Sequence, residues 1–130
     1  MADFNEGDQV PELRVTPDKY LPHRYAGASG DFNPIHIDDE FAKAVGLPRN
    51  ILHGLYSMGL VARANAALAG GDPRALKRLS VQFRGMGIPE QEIVVSGTVK
   101  AVDGVRVVVD TVATQGETQI IKNAEAEVRL

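Results

Sequence analysis

The chain has 130 residues, 44% hydrophobic and 24% charged, with a formal net charge of −3 and no cysteine. That length suits one domain with one core, and that balance describes a globular protein rather than a disordered one. Scattered basic residues offer no nucleic-acid surface, the missing cysteines exclude disulfides and thiolate chemistry, and no export leader or membrane-length apolar run is visible, so a cytoplasmic protein is expected.

Residues 9–15, QVPELRV, read as a short edge strand, where Pro11 is tolerable. Thr16-Pro17 reads as an N-cap with proline at the first helical position, opening a helix toward Ala28. Pro22 falls inside that span, so the helix is either kinked or begins near Leu21. Asp38 is a good N-cap for a short helix with Phe41, Ala44 and Val45 on its apolar face and Gly46 as its stop. From Gly54 to Ala69 the pattern is apolar nearly all round, which predicts a helix buried on most faces and ended by Gly70-Gly71.

Strands follow. Leu79, Val81 and Phe83 alternate with Ser80, Gln82 and Arg84, as in a half-buried strand. A second alternation runs from Ile93 to Ala101, turns at Asp103-Gly104 into Val105–Thr114, and turns again at Gln115-Gly116. The last strand sets Ala124, Ala126, Val128 and Leu130 against Asn123, Glu125, Glu127 and Arg129. A meander of long antiparallel strands after one greasy helix has a simple solution, in which the sheet curls around the helix in an α+β arrangement.

Chemistry concentrates at GDFNPIH. Asp31 and His36 stand five apart, a spacing that no helix face uses, and Pro34 argues against a helix there. Gly30 frees the backbone, Pro34 drives Asn33 toward an extended conformation, and Asp and Asn bond their own backbone, so a non-helical turn is expected. Such a turn brings carboxylate and imidazole to one side, where one water can serve both as in general acid–base catalysis. A structural reading stays open on spacing alone: Asp31 caps the turn, Asn33 makes an Asx-turn, and His36 is a satisfied core histidine.

Gly54 sits at the expected start of the buried helix, where N–H groups lack internal partners and the dipole is positive. A glycine there lets a thioester oxygen that gains negative charge approach closely, although a plain loop glycine beside an ordinary His53 reads as well. A metal set drawn from Asp31, His36, Asp38, Asp39 and His53 fits no compact zinc spacing and the chain lacks HExxH, so no metal is expected. Asp38, Asp39 and Glu40 are helix-start acids favoured by the dipole, His23 is a surface residue, and Arg74, Lys77, Arg78 and Arg84 form a solvated face rather than a phosphate site.

Taken together, Gly30, Asp31, Asn33, Pro34, Ile35, His36, Asp38 and Ala42, followed by His53-Gly54, resemble the MaoC-like or (R)-specific enoyl-CoA hydratase family. The likeness covers residues 1–130 as one domain. It implies a hot-dog fold, a long buried helix wrapped by a curved antiparallel sheet. It also implies an oligomer, a homodimer or larger, or a heteromer with a second MaoC-like chain. By the same resemblance Asp31 and His36 are the catalytic dyad and Gly54 N–H is the oxyanion donor. Asn33 steadies the loop, and Ser57 lies near Asp31 or the substrate. The implied reaction is reversible addition of water across C2–C3 of a trans-2-enoyl thioester of CoA or acyl carrier protein, giving the (R)-3-hydroxyacyl thioester without metal or organic cofactor. Two other readings share the fold: a thioesterase, in which water attacks the carbonyl, and an acyl-binding subunit of a heteromer, in which a chain keeping the dyad is the active partner.

Overall fold

The computed structural model describes residues 4–130. Its elements run β1 (Leu13–Val15), α1 (Leu21–Ser29), α2 (Pro34–Ile37), α3 (Asp39–Ala44), α4 (Gly54–Ala66), 3-10 turns at Ala67–Ala69 and Pro73–Ala75, then β2 (Leu76–Phe83), β3 (Ile93–Asp103), β4 (Arg106–Gln115) and β5 (Thr118–Arg129). The strands form one five-stranded sheet in the order β1-β3-β4-β5-β2, and every pair is antiparallel.

The first expected strand is shorter than its pattern. Only Leu13–Val15 pairs with β3, while Gln9 makes an isolated bridge to Thr98, because Pro11 between them cannot donate to the ladder. The following helix starts at Leu21, which places Pro22 in its first turn rather than its middle. Asp18 instead caps the approach, its carboxylate accepting from Tyr20 N at 2.8 Å.

Helix α3 is capped as expected by Asp38, whose Oδ1 accepts from Phe41 N at 3.1 Å, a contact worth about 1 kcal/mol. Its apolar face differs from the expectation: Ala42 is fully buried, whereas Phe41 and Val45 are exposed. With six residues, α3 packs by the one small residue that lets it lie close, and the larger side chains project outward.

Helix α4 contacts β2, β3, β4 and β5. It buries Ser57, Leu60, Val61, Ala64, Asn65 and Ala66, each large apolar side chain contributing roughly 1.5–3 kcal/mol. Leu55, Gly59 and Arg63 stay exposed, so one face of the helix that was expected to be covered nearly all round is open within this chain. Phe83, expected inward on its strand, keeps its ring against Gly54 at the start of α4 yet is likewise 52% exposed at the open end of that face.

The sheet's inner face is built from Ile93, Val95 and Val99, then Val107, Val109 and Ala113, then Ala124, Ala126 and Val128, all buried. Bulges between Val99 and Ala101 and between Thr111 and Ala113, with Asn123 at φ +50°, bend the long strands. The bent sheet wraps α4 and forms the hot-dog arrangement. Among the described residues no helix is long and apolar enough to cross a membrane.

Candidate active site

The Asp31–His36 link is built from a chain of local caps. Gly30, at φ +80°, ends α1 in a left-handed conformation with its N–H on Ala26 O at 2.8 Å. Ser29 Oγ accepts from Asp31 N at 3.2 Å, and Asp31 Oδ1 accepts from Asn33 N at 3.3 Å. Asn33 is extended and its Oδ1 accepts from Ile35 N at 3.2 Å. The expected non-helical turn is corrected here. Pro34 opens the single turn α2, since proline at the first helical position lacks only an N–H that had no partner anyway. That turn swings the His36 ring back toward Asp31.

His36 is buried, and its Nδ1 lies 2.8 Å from Ile51 O. A carbonyl can only accept, so Nδ1 carries a proton, and in the neutral ring Nε2 keeps its lone pair. Nε2 faces Asp31 Oδ2 at 3.9 Å, with the histidine side chain 10% and the aspartate side chain 54% exposed. Both atoms are acceptors, too far apart to bond and well placed to share a donor. A water about 2.8 Å from each sees them roughly 90° apart, close to its own H–O–H angle.

A second histidine closes the arrangement. His53 is 2% exposed and directly precedes Gly54 at the start of α4. Its Nε2 donates to Asp31 O at 3.0 Å, and its ring stacks on His36 with centroids 3.9 Å apart at 22°. The Tyr25 ring lies 4.6 Å from that of His53, tilted at 45°, and meets Tyr56 edge-on. Burial raises the Tyr56 phenol above its ordinary value of 10.0, so it remains a neutral hydroxyl.

Asp31, His36 and His53 offer ligand atoms all within 4.8 Å of one another. The stacked rings nevertheless send their in-plane lone pairs side by side rather than converging on one point. The His53 Nε2 proton is also committed to Asp31 O, which is poor geometry for a tetrahedral ion.

The chain therefore brings Asp31, His36 and the tip of α4 to one place. Gly54 is exposed, and its N–H makes no hydrogen bond among the described residues. A Cβ at this position would lie 3.2 Å from the Phe83 ring, so the glycine keeps the amide approachable. Ser57 is buried one turn on, its amide on His53 O at 3.4 Å, and among the described residues its hydroxyl makes no hydrogen bond to Asp31. Three contributors escaped the sequence reading: His53 as an anchor, Tyr25 beneath it, and Asn50, whose side chain holds His36. The block NILHG carried the signal, since its polar residues flank an apolar pair that had to turn inward.

A family model described as the MaoC like domain matches residues 5–120. The chain belongs to this family. Among relatives of this MaoC-like chain, the peroxisomal enoyl-CoA hydratase 2 of Arabidopsis thaliana is 39% identical over 103 residues, covering 78% of this chain and 31% of that protein. Enoyl-CoA hydratase ChsH3 of Mycobacterium tuberculosis is 34% identical over 119 residues, covering 88% of this chain and 40% of the relative. The MaoC-like chain thus spans less than half the length of either. A solved MaoC-like dehydratase superposes with a TM-score of 0.92 at 34% identity, over 98% of this chain and 41% of that one. The (R)-hydratase from A. caviae involved in PHA biosynthesis shares the fold, with a TM-score of 0.84 at 22% identity over 100% of this chain and 99% of that chain.

Proposed function

We propose that this MaoC-like chain is a hydro-lyase that adds water reversibly across the C2–C3 double bond of a trans-2-enoyl thioester, on CoA or acyl carrier protein, to give the (R)-3-hydroxyacyl thioester. The observation that carries the reading is the pairing of His36 Nε2 with Asp31 Oδ2 across 3.9 Å, with the tautomer set by Ile51 O. It is supported by relatives named as enoyl-CoA hydratases.

The thioester oxygen sits on Gly54 N–H at the positive end of α4. Drawing electrons toward that oxygen makes C3 electrophilic. The water between Asp31 and His36 adds its oxygen to C3 while one of the two groups takes its proton. The π electrons pass through C2 to the thioester oxygen as an enolate, and a proton from the dyad then goes to C2. Dehydration is the same path reversed. The reaction asks for no metal or organic cofactor, because the CoA or carrier arm enters with the substrate.

The oligomer is part of the proposal, as a homodimer. β2 leaves its outer edge unpaired at the end of the sheet, and Leu55 and Phe83, 65% and 52% exposed, flank Gly54. Edges and apolar surfaces of this kind are normally covered. A second MaoC-like chain could take the same place, as a solved structure titled the ChsH1-ChsH2 complex has a TM-score of 0.85 at 24% identity, over 97% of this chain and 98% of that one.

The test is a hydration assay over enoyl-CoA chain lengths, with a thiol reagent in parallel and light scattering on the purified chain. Loss of enoyl absorbance without thiol release is expected. Thiol release with the double bond intact makes the chain a thioesterase instead, and activity that appears only with a second chain replaces the homodimer by a heteromer.

A further inference from the structure

We propose that Asn50 is a positioning residue: locked by Arg49 and Glu90, its side-chain amide fixes the His36 peptide and so the aim of the imidazole at Asp31. The inference rests on the dyad reading above.

Asn50 is 4% exposed, and an amide left without hydrogen bonds there would cost free energy. Asn50 instead divides its two ends. Nδ2 donates to His36 O at 2.9 Å. Oδ1 receives Arg49 Nε at 3.4 Å and Nη2 at 3.3 Å. An amide that donates on one side and accepts on the other cannot flip without breaking both contacts.

Arg49 is held in turn. Its Nη1 meets Glu90 Oε1 at 3.2 Å, with the arginine side chain only 27% exposed. Glu90 sits at φ +71°, a conformation that costs a residue with a Cβ, and its N–H is tied to Pro17 O at 2.6 Å. A glutamate kept in a glycine's conformation points to a need for its carboxylate.

The neighbouring backbone completes the grip. Ile51 N donates to Ile35 O at 3.0 Å, and Ile51 O takes the His36 Nδ1 proton at 2.8 Å. Residues 50 and 51 therefore hold His36 by its peptide oxygen and its ring nitrogen together. Loosening either lets the ring rotate, and Nε2 moves away from the shared water.

The test uses the full chain, uniformly ¹⁵N-labelled. Asn50→Asp keeps the size and an acceptor for Arg49 but removes the donor to His36 O. Arg49→Met keeps Asn50 but unlocks its amide. The His36 ring ¹⁵N shifts report the tautomer, and kcat and KM for enoyl-thioester hydration are read alongside a thermal melt. In the wild type the shifts report a single Nδ1–H tautomer. In Asn50→Asp the tautomers mix and kcat falls about 10- to 100-fold with KM within about twofold. Arg49→Met moves both readouts in the same direction by less. A folded Asn50→Asp that keeps the single tautomer overturns the proposal, whatever its activity. Should Asn50→Asp not fold, an unchanged tautomer in Arg49→Met overturns it equally. A wild type that hydrates nothing, with the tautomer still mixed in Asn50→Asp, removes the hydratase reading and leaves the positioning role standing.

Discussion

The imidazoles of His36 and His53 lie face to face, 3.9 Å between centroids, and the lower ring holds the main chain of the residue that the upper ring faces. One histidine thereby aims the other's partner. His53 Nδ1 is buried with no hydrogen-bond partner among the described residues, so the ring is kept in spite of a desolvation cost. His53→Leu removes that cost but strands Asp31 O. Net destabilisation of about 1–3 kcal/mol is expected in a denaturant melt, with hydration activity falling more steeply than stability.

Asp31→Asn and His36→Gln are the direct tests of the proposed dyad. Asp31 is exposed and its one cap, from Asn33 N, survives in asparagine, so Asp31→Asn should stay within about 0.5 kcal/mol of wild type. Each substitution should lower kcat about 10²- to 10⁴-fold, measured as hydration of crotonyl-CoA. Near wild-type rates in both variants would falsify the assignment.

Gly54→Ala separates folding from function. The position has no positive φ, and the Phe83 ring that a methyl would meet at 3.2 Å is half exposed and free to swing away. At this first helical position alanine restricts the unfolded backbone more than glycine does, worth about 0.4–1 kcal/mol. The melt should therefore hold or rise, while kcat/KM drops about tenfold or more as the methyl crowds the amide.

Inside the core, Asn65 Nδ2 donates to Val61 O at 2.9 Å and to Thr111 Oγ1 at 3.2 Å, leaving Oδ1 buried without a partner. A half-satisfied polar pair is weaker than an apolar one of similar shape. Asn65→Leu with Thr111→Val should be more stable than either single variant, and a double-mutant cycle of melts gives a coupling of about 0.5–3 kcal/mol.

Acid stability follows from exposed carboxylates. Asp18 is held below its ordinary 3.8 by the hydrogen bond from Arg24, and Asp39 by Lys43 and then by the Asn50 N–H. A lowered folded value means the unfolded chain binds protons more readily, so this stabilisation is complete above 3.8 and fades as pH falls through the lower value. The contribution of these two carboxylates should appear as a decline in urea midpoints below about pH 4. Asp39→Asn should flatten part of that decline.

Much of this was legible in the chain itself. Alternation from Ile93 onward, with Gly104 and Gly116 turning at φ +59° and +58°, sufficed for the β3-β4-β5 meander, and Asp38 and Gly46 bracketed α3 because caps act within a few residues. Gly-Asp-x-Asn-Pro-x-His was equally readable as a link that brings an acid and an imidazole together. The error at Pro34 was local too, since proline both breaks helices and starts them, and only the Asn33 cap tells which.

What the linear chain determined was therefore everything with a short range: strands, turns, caps and the spacing of an acid and an imidazole. The tertiary structure alone decided that Ile51 O selects the His36 tautomer, that Asn50 and His53 reach back to hold the loop, and that Phe83 lies against Gly54. Those contacts join residues 14 or more positions apart. No periodicity records such pairs, because they form only once the sheet has wrapped the helix and left those groups no other partner.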